Sequence, residues 1–289
     1  MPIDTGYFVD VQNGWAFELQ TEKSVTIYGT KDGGQTWSQL AIVPVKYGDG
    51  NILIAFADAW HGWFEDMTAG MGQLGGEMFA TDDGGKTWQR MAATDQNGSL
   101  PFGGQLTAQK DGTLWLSGGQ RAAGSLGGPG FVWLYKSTDS GKTWSQVKLP
   151  LSAANEKETD SVSKPEFFGE NGLVTVIFQN NAVLYASQDG GQTWSVRGTT
   201  PIKEGFFPVF EDAMFGWQIT NDQVYFTKDG GRTWQPLHID STLQTALSGR
   251  FVGQVDFINS QQGWLLLFSR NGNSDNLLLR TNDGGQSWK

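Results

Sequence analysis

An eight-residue phrase closing on tryptophan is written six times along this chain: Thr30-Lys31-Asp32-Gly33-Gly34-Gln35-Thr36-Trp37, then close copies ending at Trp88, Trp144, Trp194, Trp234 and Trp288. Successive copies lie forty to fifty-six residues apart. A unit of that size cannot bury its own apolar surface, so the chain is expected to fold as a repeat in which every unit leans on its neighbours. Within the phrase, Asp followed by two Gly fits a tight turn. The carboxylate can accept from backbone N–H groups just ahead, and Gly accepts the positive φ such turns need. Each copy therefore reads as a strand, a rigid turn and a second strand opened by a large apolar ring.

A second, looser phrase lies between the copies and ends in Gly-Trp, at Gly14-Trp15, Gly62-Trp63, Gly216-Trp217 and Gly263-Trp264. In the third and fourth units the same reading puts the glycine at Gly112 and Gly172, with Thr113 and Leu173 in place of the tryptophan. Each unit then has four strands, the composition of a propeller blade. The fold expected is all-β, a six-bladed β-propeller forming one domain over 1–289, with blades near 1–48, 49–98, 99–152, 163–200, 204–240 and 249–289.

The phrase Ser/Thr-x-Asp-x-Gly-x-Thr/Ser-Trp resembles the Asp-box, or bacterial neuraminidase repeat. It is matched from Thr30, Thr81, Ser137, Ser187, Thr227 and Thr281, with Ser140 in place of the first Gly in the third copy and Ser287 in place of Thr in the last. With the Gly-Trp phrase, the whole chain is similar to propellers of the photosystem II stability/assembly factor-like group, and more distantly to sortilin-type and xyloglucanase-type propellers. That resemblance implies a scaffold shared by many functions. It also implies a place outside the cytoplasm, reached with a leader since removed.

Composition narrows the partners. Thirteen Trp and forty Gly are mostly absorbed by the boxes and the Gly-Trp turns. A net charge of −10 argues against nucleic acid or an anionic membrane, which need a basic surface. No run of eighteen apolar residues occurs, so no membrane insertion is expected. The absence of Cys excludes thiol catalysis and Cys-ligated metals. No cofactor or metal is expected: Asp32, Asp83, Asp139, Asp189, Asp229 and Asp283 each offer one carboxylate in a tight turn, whereas calcium takes six or more oxygens. His61 and His238 are too far apart in sequence to suggest a zinc set, and Gly124 to Gly130 lacks the Lys-Ser/Thr ending of a phosphate loop.

If the strands run from inner to outer, the Gly-Trp turns and boxes share one face and the second-to-third-strand loops share the other with the blade crossings. The box face is uniform and reads as structural, including Trp37, Trp88, Trp144, Trp194, Trp234 and Trp288. The variation lies opposite, where 65–78 and 118–131 read as long Gly-rich insertions and 149–164 and 236–250 as long crossings. The candidate ligand-binding residues are therefore Glu65, Asp66, Met71, Gln120 and Arg121, with Lys164, Arg250 and Arg270 from other blades. The main pocket is expected among them, and the ligand is a protein or a glycan.

Glycoside hydrolysis is the enzymatic alternative. Sialidases share six Asp-box blades but clamp their substrate with three Arg, one from the first blade, and this chain has no Arg before Arg90. Xyloglucanase-type enzymes place two carboxylates across a cleft between two propellers. Here Asp66 with Asp240, or Glu18 with Glu65, are the pairs left to consider. Finally, the sixth box ends at Trp288, which predicts a sixth blade with its outer strand missing or vestigial and Leu277, Leu278 and Leu279 on an exposed edge.

Overall fold

The computed structural model divides into two compact units, Met1–Lys148 and Leu149–Lys289. It describes residues 5–20, 23–48, 52–70, 73–92, 94–95, 104–120, 131–152, 159–178, 181–200, 207–220, 223–257, 259–270 and 277–289. Each unit holds three antiparallel sheets built on one plan.

In the first unit, β1 (Thr5–Phe8), β2 (Gly14–Gln20), β3 (Ser24–Thr30) and β4 (Ser38–Pro44) form the first sheet in sequence order. The second repeats this with β5 (Ile52–Phe56), β6 (Gly62–Gly70), β7 (Gln73–Thr81) and β8 (Gln89–Arg90). The third adds a strand: β9 (Thr94–Asp95) runs parallel to β13 (Thr143–Gln146), outside β10 (Gln105–Ala108), β11 (Leu114–Gln120) and β12 (Phe131–Ser137).

In the second unit, β14 (Thr159–Val162) and β15 (Glu166–Phe168) both pair with β16 (Asn171–Phe178), which continues to β17 (Asn181–Ser187) and β18 (Ser195–Thr200). The fifth sheet is β19 (Val209–Phe210), β20 (Gly216–Ile219), β21 (Val224–Thr227) and β22 (Gln235–Leu237). Helix α1 (Ser241–Ser248) leads to a three-stranded sixth sheet of β23 (Arg250–Phe257), β24 (Gly263–Ser269) and β25 (Leu277–Thr281). Arg280 and Lys289 exchange two backbone hydrogen bonds beside β25. Of the three leucines expected at that edge, Leu278 is exposed and Leu279 is buried.

Consecutive sheets within a unit pack through the Gly-Trp rings. Trp15 stacks on Phe56 with centroids 3.5 Å apart, and Trp217 on Phe257 at 3.9 Å. Each indole then donates to the next box: Trp15 Nε1 to the Gly84 carbonyl at 2.9 Å, Trp63 Nε1 to Ser140 at 3.1 Å and Trp217 Nε1 to Gly284 at 3.0 Å. Both the ring and the polar tip of Trp are thus satisfied in one placement. The preceding residue must be Gly because a Cβ at Gly14, Gly62 or Gly216 would run into the ring of Phe8, Phe56 or Phe210.

The structure departs from the sequence expectations at four places. In the third sheet Leu114 pairs with Ser137 as Gly14 pairs with Thr30, so Trp115, not Thr113, is the counterpart of Trp15. The phrase has shifted by two residues, and only in the fourth sheet, at Leu173, is the ring replaced. The segment 65–78 is not a loop: β6 and β7 pair without interruption from Gly62↔Thr81 to Gly70↔Gln73. The crossing 236–250 folds as α1, capped by the Asp240 carboxylate accepting from Leu243 N at 2.8 Å, with Leu243, Ala246 and Leu247 buried at helical spacing. Thr159 and Asp160, within the crossing expected over 149–164, belong to β14.

Candidate functional site

The boxes fold as their sequence implies. In the second, Asp83 Oδ1 accepts from Thr81 Oγ1, Lys86 N and Thr87 N, and Oδ2 from Thr87 Oγ1, while Thr81 Oγ1 accepts from Gly85 N. Asp32, Asp139, Asp189, Asp229 and Asp283 repeat the pattern. Such donors hold a carboxylate charged. Those from Thr36 lower Asp32 to about 2 and those from Thr193 lower Asp189 to about 2. At Asp83 and Asp229 slight burial opposes the same donors, and each still falls to about 2. Among the described residues no group of three or more His, Cys, Asp or Glu is placed to hold a metal ion. His61 instead closes its own turn, with Nδ1 2.8 Å from Asp58 Oδ2.

The candidate residues separate into three groups. Glu65 and Asp66 are strand residues of β6 and fully buried, at 0% exposure each, rather than lip residues. Alternation along β6 sends them to opposite faces. Asp66 accepts from Tyr47 N at 2.9 Å and Gly48 N at 3.1 Å, and its cross-strand partner Glu77 accepts from Lys46 N at 2.9 Å and pairs with Arg90. These two carboxylates fasten the chain that leaves β4. Glu65 sits between its cross-strand neighbours Leu53 and Met78, and among the described residues neither of its oxygens has a hydrogen-bond partner. Burial, then the adjacent Asp66 carboxylate, pushes its pKa well above the ordinary glutamate value.

In the second group, Arg250 and Arg270 are brought together where β23 begins and β24 ends, remote from the turn that joins them, and Arg270 Nε donates to the Arg250 carbonyl at 3.1 Å. Lys164 is exposed between β14 and β15. The third group is only partly described. Gln120 ends β11 opposite Phe131, and Met71 and Arg121 lie outside the described residues.

The pairs weighed for hydrolysis are committed elsewhere. Glu18 Oε2 accepts from the Tyr28 hydroxyl at 3.0 Å, and that hydrogen bond, more than burial, raises the tyrosine pKa. Asp240 caps α1 with one oxygen and accepts from Trp288 N at 3.0 Å with the other.

Two concavities lined by described residues lie beside the boxes, not at the hairpin tips. One, of about 560 Å³, opens between the second and third sheets among Trp63, Arg90, Met91, Ser140 and Lys142. The other, of about 260 Å³, opens between the fourth and fifth among Thr193, Trp194, Ser195, Arg197 and Arg232. Both form where the outer strand of one sheet faces the box of the next. Sequence reading passed over Arg197, although it breaks an apolar column: the residue three places after the box tryptophan is Leu40, Met91, Val147, Arg197 and Leu237 in the first five sheets.

Comparison with known proteins agrees with this architecture. The BNR/Asp-box repeat family matches at residues 79–90, 185–196 and 225–236. No curated protein matches the chain in sequence. Among solved structures it is similar to one described as YCF48 bound to D1 peptide, at 20% identity and TM-score 0.60 over 98% of this chain and 80% of that one. It is also similar to the GH74 xyloglucanase from Xanthomonas campestris, at 18% identity and TM-score 0.62 over 99% of this chain but 45% of that one. A PL25 ulvan lyase bound to -[GlcA(1-4)Rha3S]- matches at 11% identity and TM-score 0.55, over 99% of this chain and 81% of that one. At such identities the likeness carries the fold: the chain is a six-bladed β-propeller with Asp-box repeats.

Proposed function

We propose that the chain is a non-catalytic binding or assembly module that holds a protein or glycan ligand on the side of its sheets where β6 turns into β7, β11 leads to β12 and β24 leads to β25. The observation that carries this reading is the commitment of its carboxylates. Glycoside hydrolysis requires two carboxyl groups facing one substrate, about 5–10 Å apart. Glu65 is enclosed without a partner among the described residues, Asp66 holds Tyr47 and Gly48, Glu18 holds Tyr28, and Asp240 holds Leu243 and Trp288. None of them is left to act as acid or base.

Arg270, anchored through Nε on the Arg250 carbonyl, supplies a cationic contact of fixed geometry, and Arg250 and the exposed Lys164 are further cationic candidates. Met71, Gln120 and Arg121 of the second and third units are the further candidate contacts. Solved propellers of similar fold carry a peptide in one case and a sulfated uronate glycan in another, so both ligand classes suit the scaffold. The net charge of −10 disfavours nucleic acid. An extracytoplasmic location belongs to the same reading, on the resemblance alone.

Peptide and glycan arrays probed with purified protein test it. A hit whose affinity drops about tenfold in Arg270→Ala, as loss of one charge-assisted hydrogen bond does, supports the reading. Turnover of a chromogenic glycoside panel at a specific activity that stays constant through purification overturns it.

A further inference from the structure

The fourth sheet lacks the tryptophan that elsewhere crosses to the next box, and an arginine has taken over its acceptor. Leu173 stands where Trp15, Trp63 and Trp217 stand, and cannot donate. Arg197 Nε instead donates to the Gly230 carbonyl at 3.1 Å, the position of the fifth box that corresponds to Gly84, Ser140 and Gly284. Arg197 Nη2 reaches on to the Asp229 carbonyl at 3.3 Å, and Arg232 Nη1 donates to that same oxygen at 3.2 Å. Two guanidinium groups therefore converge on one carbonyl across a notch of about 260 Å³.

Among the described residues neither arginine has a carboxylate within ion-pair distance, since the ion pairs found there are His61–Asp58 and Arg90–Glu77. The Asp229 carboxylate is turned the other way, accepting from Thr227, Thr233 and the Thr233 backbone. Partial burial, followed by repulsion from Arg232, pulls the Arg197 pKa below its ordinary value, and attraction to Asp229 offsets this only in part. Arg197 Nη1 and Arg232 Nε and Nη2 have no protein acceptor among the described residues. The rest of the lining offers Gln188, Thr193 and Ser195.

The sister notch between the second and third sheets is an internal control. It has the same construction, but Met91 stands in the place of Arg197 and Lys142 in that of Arg232, and its one arginine, Arg90, is neutralised by Glu77. The convergence of unneutralised guanidinium groups belongs to the fourth–fifth notch and is not a requirement of the fold.

We propose that this notch is a binding site for a tetrahedral oxyanion, a sulfate or phosphate group, held between Arg197 and Arg232. Such a group matches the donors that the two forks leave over and removes the repulsion between them. The site stands apart from the hairpin-end reading, and either can fail without the other.

The test is titration of the whole protein with sodium sulfate and sodium phosphate at fixed ionic strength, read by thermal shift and calorimetry, with acetate and chloride as comparators. Saturable stabilisation by sulfate or phosphate that weakens about tenfold in Arg232→Gln is the expected result. That variant keeps the fold, because Gln35 and Gln286 already fill the same box position and donate to the same carbonyl. Equal response in Arg232→Gln, or no response beyond that to chloride, overturns the proposal. A sulfated monosaccharide binding at least tenfold tighter than inorganic sulfate identifies the group as a substituent of a larger ligand, and equal affinity identifies the free ion.

Discussion

At the scale of single residues, Glu65 is the side chain most at odds with its surroundings. Phe17 occupies the corresponding place in the first sheet, two residues beyond the Gly-Trp tryptophan and buried against Phe64 and Trp88. A carboxyl in such a place keeps its proton where an ordinary glutamate has lost it, because no donor among the described residues offsets the cost of desolvating the charge. The folded state then binds more protons than the unfolded chain at any pH between the ordinary glutamate value and the raised one. Stability conferred at Glu65 is full below the ordinary value and is lost as pH rises through the folded pKa. Glu65→Leu is therefore expected to stabilise the protein at pH 7 by about 1–3 kcal/mol, the cost of an unsatisfied buried polar group, and to flatten the slope of stability against pH on the neutral side. Urea unfolding at pH 5 and pH 8 checks both. An unchanged midpoint at pH 8 would mean that Glu65 has a donor after all.

Between elements, the contact from each sheet to the next box is the joint that the repeat requires, and its chemistry is exchangeable. Trp donates one N–H to the carbonyl in the first, second and fifth sheets, and Arg197 does so in the fourth. Arg197→Leu leaves the Gly230 carbonyl without its donor and is expected to cost about 1–3 kcal/mol. Leu173→Trp alone sends an indole toward an acceptor already taken, so it gives no gain. Made together, the two changes restore the arrangement of the other sheets and are expected to recover most of the loss, giving a coupling energy of at least about 1 kcal/mol in a double-mutant cycle. Strict additivity would show that the two side chains do not share the acceptor.

For the molecule as a whole, the boxes set the acid limit. All six box aspartates have depressed pKa values, four of them at about 2. A carboxylate whose folded pKa lies below its unfolded value contributes stability above the ordinary aspartate range and loses it as pH falls through the folded pKa. With one box in every sheet, these losses coincide. A cooperative acid transition is expected between about pH 4 and pH 2, and Asp83→Asn should shift its midpoint upward while leaving the neutral-side slope to Glu65. Circular dichroism across that range reads it directly. A midpoint that does not move in Asp83→Asn would separate acid unfolding from the boxes.

The number of blades, the sequential order of their main strands and the turn in which each box Asp accepts from the residues just ahead were determined by the sequence alone. The reason is distance along the chain: every bond inside a box spans four residues or fewer, so the spacing of Thr81, Asp83, Gly85 and Thr87 prescribes it before any packing occurs. The tertiary structure decided what the strands face and where they stop. Glycines at 70, 72, 75 and 76 read as loop, yet β6 and β7 stay paired to Gly70↔Gln73, which buries Glu65 and Asp66 instead of presenting them. The third Gly-Trp was misplaced by two residues because pairing with Ser137, not the nearest glycine, sets its register. Helix α1 was signalled by Asp240 ahead of Leu243, Ala246 and Leu247, a pattern lost against the expectation of a crossing loop. Arg197 and Gly230, 33 residues apart, meet only when the fourth sheet packs on the fifth. Contacts of that kind depend on register and on which neighbour is packed against, and neither is encoded in any one repeat.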